Sequence, residues 1–389
     1  MDLEKLELSG LNVDRIRLYQ DTFDKEYNEK ILYLRYKDLG RWMPRDNIIN
    51  NIKKRYHNNI SEPRVIQLSN EKPNTLIYNL TQICREKNVK VLYELYLKFP
   101  EIFNINDHMI FFNIMIGHKN IIRITNLGSK IFCTSQRNII RNKKDGWIYY
   151  PIYLFECMEK GFLDILDTEG RDIYLVVEYM KRNDVVEDLD LNEMQLYCFG
   201  IDYFNLCEDI ERNYMEYCLI ERNSFYSRNK NDEWIKVVSN HKESSQMPGK
   251  YNTESGGGGA TVSTKEKWLC PVMYTSFLWD TNNTKEQPWP SIQKMDIDID
   301  DWYRIEYASS RIITDNTNNF HSIWFFPDTD DDLIKQERVF GINLSAINEI
   351  DIKVEFSDVV NVNETKSCIG IMSFNILVWY NGDCKNVYR

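Results

Sequence analysis

The spacing of apolar residues changes once along the chain. From Asp14 to about Leu39, Ile16, Tyr19, Phe23, Tyr27, Ile31 and Leu34 recur three or four apart, which places them on one face of an amphipathic helix. That face must be buried on the chain's own body or on a neighbour. After Pro63 most segments become short runs rich in Ile, Val, Tyr, Phe and Trp, separated by clusters of Asn, Asp, Gly and Lys. Such punctuation predicts an all-β body. The clearest strand runs from Ile350 to Phe356, where strict alternation sets four apolar side chains on one face and three charges on the other. Comparable strands are expected over Val91 to Phe99, Ile121 to Thr125, Ile173 to Tyr179, Ile323 to Phe326 and Met372 to Tyr380. Strands at these intervals, without alternating long helices, favour a sandwich or barrel over a βαβ sheet.

Two stretches break the β rhythm. Asp209 to Tyr217 (DIERNYMEY) reads as a short charged helix near the middle, where a connector between two domains would lie. Asn240 to Thr264 has almost no apolar content and carries four consecutive glycines, Gly256 to Gly259, so it reads as a long surface loop. A phosphate-cradling loop needs Ser or Thr after Gly-Lys, and Gly249-Lys250 is followed by Tyr251.

Composition narrows the classes of function. A chain of 389 residues, 43% hydrophobic and 13% aromatic, can fill one large core or two ordinary ones. No window resembles a membrane span, and Met1 to Gly10 is acidic and amphipathic, unlike a secretory signal, so a cytosolic chain is expected. The net charge of -11 disfavours a general nucleic-acid binder. The basic runs Lys53-Lys54-Arg55 and Arg137 to Lys144 read as solvated faces, with an inward contact to nucleic acid or membrane as the lesser option. Nine cysteines, at 84, 133, 157, 198, 207, 218, 270, 368 and 384, form no CxxC pair and predict reduced, mostly buried thiols.

Candidate chemistry is sparse. The histidines at 57, 108, 118, 241 and 321 form no HExxH and have no ligand at metal spacing. No GxSxG elbow is present. Asp328 to Asp332 (DTDDD) could offer hard oxygens to Ca²⁺ but lacks the turn glycine and distal Glu of an EF-hand, which favours a solvated loop. With 59 Asp and Glu, nearness in sequence does not mark a catalytic carboxylate pair. Asn-x-Ser/Thr at Asn59, Asn79, Asn282, Asn343 and Asn363 is the chance yield of an Asn-rich chain. No catalytic, cofactor-binding or metal-binding residue is assigned, and a non-enzymatic role is expected.

Five segments, in order, carry a family resemblance. Asn113 to Ile131 holds an Ile116-Gly117-His118 segment leading into a strand and a Gly-containing turn. Tyr150 to Tyr179 has a Pro-aromatic strand, a loop and a following strand. Ile201 to Phe225 (IDYFNLCEDIERNYMEYCLIERNSF) places Asp202, Tyr203, Leu206, Glu211, Arg212, Glu216, Tyr217, Leu219, Ile220 and Glu221 at or near motif positions. Phe340 to Phe356 contributes Ile342, Asn343, Ser345 and Ile347, and Asn375 to Tyr388 contributes Asn375, Leu377, Gly382 and Tyr388. Together these segments resemble the double jelly-roll major capsid proteins of nucleocytoplasmic large DNA viruses. The chain departs from that pattern at Arg338-Val339-Phe340, where Pro-Ser-Gly is usual, at Ala346 in place of Arg, and at Asp383-Cys384-Lys385 in place of a glycine-rich turn.

The resemblance implies an all-β fold of two tandem antiparallel jelly rolls, over residues 70–213 and 214–389, behind a helical N-terminal arm over residues 1–69. It further implies a homotrimeric capsomer of pseudo-sixfold outline that meets neighbouring capsomers, minor capsid proteins and an inner viral membrane, in virions assembled in host cytoplasm. No cofactor and no specific nucleic acid are implied. The alternatives are a minor capsid or scaffold paralogue, and a lectin-like β-sandwich attachment module behind an unrelated helical domain. Only the double roll demands a strand, helix, strand passage over Ile201 to Phe225.

Overall fold

The computed structural model describes residues 31–35, 45–72, 75–101, 105, 108–129, 140–142, 146–181, 193–204, 210, 212–227, 232–239, 259–264, 269–270, 272–279, 292–299, 303–306, 312–315, 320–324, 338–343, 349–356 and 365–386. The eight principal strands of the first half, in chain order, are Arg64–Gln67, Ile77–Asn79, Val91–Pro100, His108–Ile116, Lys119–Thr125, Trp147–Ile152, Ile173–Lys181 and Gln195–Ile201. One sheet runs first, eighth, third, sixth, and the other runs second, seventh, fourth, fifth. In the second half the corresponding strands are Tyr214–Ser227, Asp232–Ser239, Val272–Trp279, Ile292–Ile299, Tyr303–Glu306, Phe320–Trp324, Glu349–Phe356 and Thr365–Tyr380. They follow the same two orders. Two antiparallel sheets wound in this sequence make a jelly roll, and the chain repeats it.

Alternation decides which side chains fill each roll. In Val91–Pro100, Leu95, Leu97 and Phe99 are buried, while Tyr96, Lys98 and Pro100 are half-buried on the other face. His108–Ile116 has almost no polar face, because it is buried on both sides, as its near-continuous apolar run requires. Gly117 turns it into Lys119–Thr125 at φ +58°, a backbone angle that favours glycine. The core of the first roll continues into the wall of the second through Cys218, Leu219, Met372, Leu377 and Trp379. A smaller cluster seats the helix Arg45–Arg55, whose Ile48 and Ile52, with Tyr56 just beyond, pack on Val91, Tyr93, Phe162, Ile201 and Tyr203.

The expected strands over Val91 to Phe99, Ile121 to Thr125, Ile173 to Tyr179, Ile350 to Phe356 and Met372 to Tyr380 are all present. The one expected over Ile323 to Phe326 ends at Trp324 among the described residues. Three expectations are corrected. The helix placed over Asp14 to Leu39 is a strand at Ile31–Arg35, paired antiparallel with Arg338–Asn343; the rest of that stretch lies outside the described residues. Five backbone pairings to a sheet edge outweigh a marginal helical preference. The charged helix over Asp209 to Tyr217 is strand from Tyr214 onward, paired along its whole length with Thr365–Tyr380. Glu216 within it does not mark a solvated helix face, because its side chain is buried, while Asp209 and Glu211 lie outside the described residues.

The glycine-rich stretch closes with a strand, Gly259–Thr264, running parallel to Asp232–Ser239, while residues 240–258 lie outside the described set. The helix Arg45–Arg55 covers the first roll, and Arg64–Gln67 is an edge strand of its larger sheet. The one-roll alternative is excluded, since each half of the chain closes its own pair of sheets.

Candidate functional site: the junction between the rolls

Among the described residues the densest polar chemistry lies where the two rolls meet. Lys160, in the loop after Phe155–Cys157, is 11% exposed and ion-pairs Asp167 of the first roll at 2.7 Å and Glu216 of the second at 3.5 Å. Asp167, fully buried, also ion-pairs Arg55 and accepts from the Tyr214 hydroxyl at 2.6 Å. Asp164, also fully buried, lies 3.1 Å from Arg55 Nε, accepts from the Leu166 amide at 2.9 Å, and receives the Tyr56 hydroxyl. Glu216 accepts from the Trp379 indole at 2.6 Å and from the Lys160 amide at 3.3 Å. The Lys160 ammonium lies 4.5 Å from the Trp379 ring centroid and 4.9 Å from that of Tyr214.

Local sequence explains each placement. Arg55 falls three residues after Ile52 and therefore shares the buried stripe of its helix. Asp164 caps the 3₁₀ turn Ile165–Thr168, which sets Asp167 on the same side. Tyr214 and Glu216 alternate on one face of Tyr214–Ser227, opposite Trp379 and Leu377.

Charge in such a place shifts titration. Burial pushes the Asp164 carboxyl up to about 6, with the Asp167 charge adding to the shift and Arg55 opposing it. Burial likewise raises Glu216, against Lys160 and the indole donor. For Lys160 burial acts downward, yet Asp167 and Glu216 more than offset it, and its ammonium is held above the ordinary range. The Tyr56 and Tyr214 hydroxyls are pushed well up by burial and neighbouring carboxylates, which keeps them protonated donors.

Two further contacts lock the halves. Glu221 of the second roll accepts from the Thr125 amide and hydroxyl, both at 2.6 Å, and the Thr125 hydroxyl accepts from the Gly128 amide at 2.9 Å. A Cβ on Gly128 would fall inside that carboxylate, so glycine is needed there for close approach. Asp383, in the C-terminal hairpin, pairs with Lys119 at 2.6 Å and Arg171 at 3.2 Å, and the Asn386 amide donates to the Ile121 carbonyl at 3.0 Å. The adjoining Gly382, at φ +71°, abuts the Thr168 carbonyl.

None of these residues was assigned a role from sequence. Glu216 and Glu221 lay within the segment that carries the family resemblance, without a stated role. Lys53 and Lys54 are exposed as expected, whereas Arg55 of the same basic run is drawn into the junction. The histidines do not assemble: among the described residues, no group of three or more His, Cys, Asp or Glu is arranged to hold a metal ion. DTDDD and His241 lie outside the described residues. Six cysteines, at 84, 157, 198, 218, 368 and 384, are buried free thiols, and burial pushes Cys84 up to about 12, far from a reactive thiolate. Among the described residues no helix is long and apolar enough to cross a membrane. The arrangement can fix two domains rigidly against each other.

Two rolls of identical strand order, fused through a buried ionic joint, define a double jelly roll. The same fold occurs in PBCV-1 VP54, solved as a crystal structure and fitted into a cryo-EM reconstruction of the virophage Sputnik. The likeness has a TM-score of 0.50 at 9% identity, over 85% of this chain and 97% of that one. The quasi-atomic model of the PBCV-1 virus capsid matches with a TM-score of 0.50 at 10% identity, again over 85% of this chain and 97% of that one. No protein-family model matches the sequence, and no curated protein matches it significantly. At these identities the likeness establishes the fold.

Proposed function

We propose that the chain is a non-enzymatic structural subunit of a viral capsid. The observation that carries this reading is the double-roll likeness, which takes in 97% of a chain belonging to the PBCV-1 capsid and 85% of this one. In this reading the two rolls lie over residues 70–213 and 214–389 behind an N-terminal arm over residues 1–69, whose helix Arg45–Arg55 packs on the first roll and whose strand Arg64–Gln67 joins its larger sheet. Three copies form a capsomer of pseudo-sixfold outline, which contacts neighbouring capsomers and minor capsid proteins in a virion assembled in host cytoplasm over an inner membrane. Closed pairs of sheets suit this work: most strand edges are hidden inside each roll, so subunits meet through side chains and loops, not by open-ended edge pairing.

The junction has a clear part here. A shell subunit transmits force between neighbours, and two rolls held by the Lys160–Glu216 ion pair and by the Tyr214–Asp167 and Thr125–Glu221 hydrogen bonds move as one body. The experiment is the solution mass of the purified chain by light scattering. A species of three times 46.5 kDa supports the capsomer reading, and a chain that stays at 46.5 kDa at every concentration overturns it.

A further inference from the structure

Three buried carboxylates, Asp164, Asp167 and Glu216, face two half-buried cations, Arg55 and Lys160, at the place where the rolls are joined. With every group ionised, one negative charge is left unbalanced inside the protein, where an unpaired charge costs most. We propose that the junction is a proton-operated clamp: on mild acidification Asp164 takes up one proton, and the two rolls are held together more tightly.

The surrounding groups leave few other ways to remove that charge. From the helix side come Arg55 and Tyr56, and from the loop of Asp164 itself come Asp167 and Lys160. The second roll supplies Tyr214, Glu216 and Cys384, while Tyr203 and Cys84 approach from the first. The three phenols and both thiols have their titration pushed upward, so none adds positive charge or loses its proton near neutrality. Lys90, the next cation on the strand side, is taken by Asp202 at 3.0 Å and lies over the Tyr203 ring.

Among the three carboxylates, Asp167 touches both cations, and Glu216 holds the Lys160 ammonium and amide together with the Trp379 indole. Asp164 shares its one cation, Arg55, with Asp167. A proton on its Oδ2 requires that the Tyr56 hydroxyl turn from donor to acceptor and loosens the hold of Arg55 Nε, 3.1 Å from that oxygen, while Oδ1 keeps the Leu166 amide. Arg55 is then left undivided to Asp167, the carboxylate that Tyr214 and Lys160 tie to the second roll.

The test is urea unfolding of the full chain between pH 7 and 4.5, comparing wild type with Asp164→Asn, which resembles the protonated form. A carboxyl whose folded pKa lies above its unfolded value stabilises below the unfolded pKa, and that stabilisation is lost as pH rises through the folded one. The wild type's folding constant should therefore gain on the variant's by about tenfold per pH unit on descending from 6 towards 4. A ratio that stays constant across this range overturns the proposal. Tyr56→Phe removes a donor to the charged carboxylate and should move the window to higher pH. An unmoved window overturns the assignment to Asp164, and this arm decides alone if Asp164→Asn does not fold. Light scattering at each pH separates the clamp, a property of one chain, from any change in assembly.

Discussion

Replacing Lys160 by methionine removes an ammonium while keeping much of the apolar stem that packs on Phe162, Tyr214 and Trp379. What changes is charge. Asp167 loses a partner at 2.7 Å and Glu216 one at 3.5 Å, and three buried carboxylates are left to Arg55 alone. Breaking a buried pair from one side costs about 3–5 kcal/mol, because the surviving charge stays desolvated. That is a large part of the roughly 5–15 kcal/mol by which a domain is stable. The loss should appear as a lower urea midpoint at pH 7 with an unchanged slope. It should shrink as pH falls to 5, because Asp164 and Glu216, both already raised, protonate more readily in the variant's folded state than in the unfolded chain. Lys160→Met combined with Glu216→Gln should recover part of the stability, since the second change removes a stranded charge. A single-variant loss of no more than about 1 kcal/mol, the worth of a surface ion pair, would refute the reasoning.

Gly128→Ala drives a methyl into the Glu221 carboxylate and should cost about 1–3 kcal/mol in thermal or chemical unfolding; pairing it with the shorter Glu221→Asp should restore part of the loss. Glu156 is buried beside Glu94, and desolvation pushes its carboxyl up to about 8. Its stabilising contribution is present below the unfolded carboxyl pKa and fades as pH rises through 8, so unfolding midpoints of Glu156→Gln should decline less than those of wild type between pH 5 and 8. Ile52→Ala empties a fully buried position under the helix Arg45–Arg55, and should cost about 2–5 kcal/mol and raise protease sensitivity around that helix.

The sequence alone carried the β character of the body, because side chains alternate with a period of two wherever one face is buried. Ile350 to Phe356 and Val91 to Phe99 needed no further information. It also carried the division into two rolls, through motif order around Ile201 to Phe225, although a helix was expected where Tyr214–Ser227 is extended. The error has a physical source: Glu216 and Glu221 look like solvent-facing charges until the opposite wall is in place. Arg55 was within reach, since it lies on the stripe of Ile48 and Ile52, and Asp164 stands out within the apolar run Phe162 to Leu166, with Asp167 directly after it.

Only tertiary structure could bring together Arg55, Lys160, Asp164, Asp167, Glu216 and Trp379, which come from a helix, a loop, a 3₁₀ turn and two strands of the second roll. Periodicity reports which face of one element is covered. It cannot report what covers that face, and the effect of a buried charge depends entirely on its partner.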